Sequence, residues 1–174
     1  MPIDPKRRAS DLATALTLMA QRQGDEPLNG VSFSPQQSGF ESLASTTWRE
    51  LLDAGLIEDR REKPGPTFRL TPHGWLTALE ISGALQEQAV RERAIAIRRA
   101  LKARVKGRNA HYDTHVDVRD FAGEIGLPIG WVWNAMRANL LHAVFPDDLM
   151  NATLDARHYL LIQVPPTFGM KGRA

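Results

Sequence analysis

Apolar positions recur at helical spacing near the start of the chain, at Leu12, Ala15, Leu16 and Met19. This pattern predicts a helix from about Lys6 to Arg22, stopped near Gly24. Residues 24–38 are rich in Gly, Pro, Asn, Ser and Gln and read as a loop, with a short strand at Val31–Phe33. A second helix is predicted from about Ser38 to Ala54. Phe40, Ala44, Thr47, Trp48 and Leu51 would share its buried face, with Ser42, Ser45, Thr46, Arg49 and Asp53 opposite. Gly55 is placed as its stop.

Two short runs around Pro64-Gly65-Pro66 follow. The second, Thr67–Thr71, alternates apolar and polar residues, so the pair predicts a hairpin. Thr71-Pro72 is a helix start, Thr as cap and Pro at the first position. The next helix is expected to run from Pro72 to about Lys106, with Gly83 as the point where it bends or divides. Val90, Ala94, Ile97, Leu101 and Val105 form an apolar stripe along it. Residues 107–116 are the expected module boundary. Beyond it the pattern predicts helices at Val118–Gly126 and Ile129–Val144, a strand at His158–Val164 and a loop-like tail from Pro165. No internal repeat appears by residue identity.

The resulting fold class is mainly α with small β-hairpin wings. Its expected organisation is a module at 1–82, a long basic linker or dimerisation helix at 83–108, and a second module at 109–174 with a C-terminal strand and tail. The length of 174 residues allows one ordinary domain or two small ones. With 43% hydrophobic residues, a packed core is expected rather than wholesale disorder.

Residues 38–80 resemble a winged helix-turn-helix module of the kind found in transcription regulators. The resemblance is carried by Trp48-Arg49-Glu50-Leu51-Leu52-Asp53-Ala54-Gly55-Leu56-Ile57 and by Phe68-Arg69-Leu70-Thr71-Pro72-His73-Gly74-Trp75. In that family a recognition helix steps through Leu-Gly-Leu-Ile into the wing, and a strand ending Leu-Thr-x-x-Gly leads into the next helix. One element departs from the pattern: the helix that should precede the recognition helix is not apparent. Residues 118–137 resemble a second helix-turn-helix. Phe121, Ile125, Leu127, Val132 and Ala135 occupy its packing positions, Ala122 the helix crossing and Gly126 the turn.

Charge sharpens the functional question. Residues 88–108 hold eight basic side chains and one acid, whereas residues 113–155 hold seven acids and two arginines. Such asymmetry suggests either a polyanionic partner or two segments that neutralise each other. The resemblance implies a DNA-binding regulator acting as a homodimer, with the stripe on the basic helix as a dimer seam. Ser42, Ser45, Thr46 and Arg49 would meet duplex DNA, with Arg60, Arg61 and Lys63 at the wing and Arg98, Arg99 and Lys102 on the basic helix. The second module offers few cations; Trp131 and Trp133 are expected to pack, either within the module or at a partner surface, and with Asn134 and Arg137 they are its candidate protein-partner residues. The alternative is a protein-interaction adaptor that keeps the winged fold as a scaffold.

Other chemistry finds little support. There is no cysteine, which removes disulfides and thiolate chemistry. His111 and His115 stand four apart, but in an expected loop and without a further ligand. No Gly-rich phosphate loop or nucleophile elbow is present, so neither an enzyme nor a cofactor or metal is expected. No apolar run approaches the ~20 residues of a membrane span. The basic N-terminus lacks the apolar segment of a secretory signal, and a cytoplasmic location is expected.

Overall fold

The structure, a computed structural model, describes residues 3–61, 65–105, 114–148, 151–154 and 159–163. Lys63, the boundary segment at 107–113 with His111, and the tail from Pro165 lie outside the described residues. The chain divides into two units, Met1–Ala84 and Leu85–Ala174.

The first unit opens with α1, Pro5–Gln23, which follows the predicted span closely. Asp4 caps it by accepting the Lys6 N–H at 3.1 Å, and Gly24 ends it at φ +50°. Ala15, Leu16 and Met19 are its buried stripe. The expected strand at Val31–Phe33 shrinks to one antiparallel bridge, Phe33 to Phe68.

The second helix, α2, spans Ser45–Asp53 and so begins seven residues later than expected. Residues 35–42 form turns instead. Gly39 explains the difference: its φ of +93° cannot continue a right-handed helix. A Cβ there would also stand 2.7 Å from Leu18 Cδ2, so this backbone passes close against α1. Phe40 still reaches the core, 1% exposed, by a turn rather than on a helix face. It meets Phe33 edge-on at 6.1 Å and Trp48 at 5.4 Å, while Trp48 stacks on Phe68 at 5.1 Å. This aromatic chain ties the turn run, α2 and the hairpin together.

The hairpin pairs β1, Ile57–Asp59, with β2, Phe68–Leu70, in the register Ile57 to Leu70 and Asp59 to Phe68. Strand β2 therefore lies between Phe33 and β1. Helix α3, Pro72–Ile81, packs on α1. The Thr71 hydroxyl accepts the Gly74 N–H at 3.0 Å and donates to the Gly55 carbonyl at 2.6 Å. The single long helix expected over 72–106 is divided at Gly83, φ +77°.

In the second unit, α4 spans Gln88–Val105. Its Ala94, Ile97 and Leu101 are fully buried, and it packs on helices of its own unit. These helices are α5, Val118–Ile125, and α7, Leu140–Val144. Three residues of the stripe anticipated as a dimer seam are thus buried within the unit, while Val90 is half-buried, and the helix anticipated as a linker packs against α5 and α7. Between α5 and α7 lies α6, Ile129–Arg137. Asn139, at φ +56°, splits the helix expected at 129–144 into α6 and α7. Three strands complete the unit: β3 at Thr114–Asp117, β4 at Asn151–Leu154 and β5 at Tyr159–Gln163. They form an antiparallel sheet in the order β3-β5-β4. Only β5 was anticipated.

The two units share an order of elements despite their unrelated residues. Each has a long helix, a first edge pairing, a nine-residue helix in the middle section, and two antiparallel strands whose last member lies centrally; the first unit adds α3 after its strands, and the second adds α7 between its nine-residue helix and its strands.

Candidate nucleic-acid interface

Burial divides α2 cleanly. Thr47, Trp48 and Leu51 face the core, while Ser45, Thr46, Arg49 and Asp53 are exposed. Ser45 and Thr46 present hydroxyls, and Arg49 has no ion-pair partner among the described residues. One acid beside this face, Glu50, is held by Arg8 of α1, Nε to Oε2 at 2.7 Å, while Asp53 stands exposed at its C-terminal end. A second contact from α1 fixes the start of the helix. Ala44, the residue before Ser45, has no side chain to cap it, and Asp11 Oδ2 accepts the Ala44 N–H at 3.2 Å.

Ser42 departs from expectation. It is exposed, but it lies in the turn run and not on the helix, because Gly39 delays the helix start. Next to Ser45 opens a groove of about 380 Å³, lined in part by Gln36, Glu41, Trp48 and Pro66. Glu41 puts a carboxylate on that wall, which disfavours phosphate there. At the hairpin, Arg61 is exposed and approaches Asp59 at 3.5 Å. Arg60 is half-buried. Glu58 is engaged by Arg69, so both strand acids have cationic partners.

The basic helix is less available than its composition suggests. Arg98 and Lys102 both converge on Asp148, Lys102 at 3.5 Å, and Arg98 also lies over the Phe145 ring at 4.7 Å. Arg104 pairs with Glu124 and lies 5.4 Å over Phe121, and Arg93 covers Trp131 at 5.0 Å. Arg99 remains exposed. Three cations of this helix are thus paired with acids of the second unit. Asp148, with its side chain 12% exposed, sits between a surface and a buried pair in character. Asp148→Asn is expected to lower the stability of this unit by about 1–2 kcal/mol in urea unfolding. A change below experimental error would mean that the cluster contributes nothing net.

The candidate partner surface on α6 needs correction. Trp131 and Asn134 are 5% and 0% exposed, so they are core residues of the second unit. Trp133 is half-buried beneath Arg137, which lies 6.0 Å from the centre of its ring. Six of the nine residues of α6 are buried. Helix α7, which has no counterpart in the first unit, packs on both α4 and α6. Nothing local in the sequence announces that Arg93, on a different helix, lies over the Trp131 ring.

No group of three or more metal-binding side chains occurs among the described residues, and His115 is exposed. None of the described helices is long and apolar enough to cross a membrane. Compared with models of known families, with curated proteins and with solved structures, the chain matches none. Its function must be argued from its own residues.

Sequence reasoning passed over Arg7, Arg8 and Asp11, whose basic neighbourhood was weighed only as part of a targeting signal. The importance of Asp11 and Arg8 comes from contacts with residues 33 and 42 positions away, for which the sequence carries no local sign, and Arg7 stands against Asp11 one turn earlier.

Proposed function

We propose that both units are winged-helix modules and that the first binds double-stranded DNA, in the manner of a transcription regulator, through α2. The shared element order supports the fold reading, with β2 and β5 as the central strands. In the first unit the turn run at 35–42 stands where the family has a helix. The reading assigns no catalytic role to any residue.

The observation that carries the DNA reading is the composition of the exposed face of α2. Ser45, Thr46 and Arg49 all bond readily to base edges or phosphate oxygens, and of the two nearby acids Glu50 is paired with Arg8 while Asp53 lies at the far end of the helix. Helix α6, in the corresponding position of the second unit, is buried over most of its length. It is read as a scaffold element.

The test is fluorescence anisotropy of a labelled random-sequence duplex at two salt concentrations. The wild-type protein should bind, and more weakly at higher salt. Arg49→Ala should weaken binding by about 1–3 kcal/mol, with the fold retained. A folded protein that leaves the duplex free at low salt would sink the reading. That outcome would favour the second one, a protein-interaction adaptor. The self-neutralised cations of α4 speak for it, as does the mixed charge of the β1–β2 hairpin.

A further inference from the structure

We infer that Arg7 and Arg8, on the first turns of α1, form a phosphate clamp along one edge of α2, for the backbone of the same DNA duplex. The inference rests on the DNA reading above and names residues which that reading does not contain. Two contacts from α1 define the edge. Arg8 reaches Glu50, and Asp11 reaches the Ala44 amide at the start of α2. Arg7 stands one helical turn from Asp11, with its Nε 4.0 Å from that carboxylate. Arg8 therefore borders α2 at Glu50, and Arg7 lies near its start, next to the carboxylate that holds the Ala44 amide.

Both also remain open to a partner. Their side chains are 62% and 59% exposed, so each holds its acid with part of the guanidinium and leaves other N–H donors in solvent. Each carries a planar guanidinium, a donor group suited to phosphate oxygens, and Arg8 brings it to Glu50, the residue that follows Arg49 in α2. A protein surface with such flanking cations would touch backbone rather than bases, and its contribution would be independent of DNA sequence.

The experiment compares Glu50→Gln with the triple variant Arg7→Gln/Arg8→Gln/Glu50→Gln, both in the full chain. Removing Glu50 from both proteins prevents the acid that Arg8 leaves behind from repelling the duplex. Random-sequence duplex affinity is measured between 50 and 200 mM salt, with circular dichroism and melting as folding controls. Loss of two phosphate contacts should flatten the slope of log K against log salt by about 1.8, equivalent to about 60-fold in affinity at 0.1 M salt. Arg7→Lys/Arg8→Lys in the same background should keep the slope. Should the triple variant unfold, Arg7→Glu alone serves, with a slope loss of about 0.9 or more. Equal slopes and affinities for the two proteins, with Arg49→Ala still weakening binding, would overturn the clamp and leave α2 as the DNA-binding helix. Failure of Glu50→Gln and the wild-type protein alike to bind would remove the DNA reading and the clamp with it.

Discussion

Replacing Gly74 by alanine is expected to cost the first unit about 3 kcal/mol or more, enough to unfold a small marginal domain at moderate temperature. Gly74 is buried in the first turn of α3, and the carbonyl oxygen of Leu56 lies 1.7 Å from where a Cβ would stand. The obstacle is backbone, so no side-chain rotation relieves it. The same carbonyl accepts the Thr71 N–H at 3.1 Å, and Thr71 bonds both Gly74 and Gly55. Moving Leu56 would therefore disturb the end of α2, the start of β1 and the cap of α3 together. Gly123→Ala is the natural control. Gly123 lies in α5 with open space around its would-be Cβ, and alanine there should be neutral or stabilising by up to about 1 kcal/mol. Thermal and urea unfolding of both variants would settle the matter. Equal stability for the two would show that α3 does not approach the hairpin so closely.

Trp48→Ala is the second large effect, about 3–5 kcal/mol by the usual cost of truncating a buried aromatic. Trp48 is 7% exposed and stands between Phe40 and Phe68. It joins three segments that have little else to hold them: the turn run, a nine-residue helix and a strand of three residues. Its loss would leave a cavity directly behind Arg49 and Ser45. Trp48→Phe, which keeps most of the contact area, should be markedly milder. In urea unfolding, an alanine variant within about 1 kcal/mol of wild type would show that the stack is not what organises α2.

These two positions also show what the sequence made legible. The Leu70-Thr71-x-x-Gly74 pattern pointed to the strand, the cap and the following helix, because each is decided by neighbours within a turn or two. The stop at Gly24, the turn at Gly126 and the Phe68/Leu70 alternation were legible for the same reason. The start of α2 was not. Phe40 and Ala44 fit a helical stripe, but Gly39 takes a positive φ against Leu18, the next residues form turns and Ala44 is extended. Strands β3 and β4 are four residues each and exist by pairing with β5, so neither carries a pattern of its own. The same limit applied to the candidate interface. Ser45, Thr46 and Arg49 were found from periodicity. The fate of Arg98, Lys102 and Arg104 depended on acids 20 to 50 residues away.

Asp11 gives α2 a particular kind of dependence. Nine residues are too few for a helix to persist alone in water, and the alanine before this one closes the first turn with its carbonyl, to the Thr47 N–H, but has no side chain to cap it. The Ala44 N–H is instead bonded by a carboxylate of α1. The surface is thus tied to its support: loss of the contact from α1 is expected to weaken the start of α2 and the face bearing Arg49 with it. In this protein the capacity to present that face is a property of one cooperative folding unit, inherited from a carboxylate 33 positions earlier in the chain.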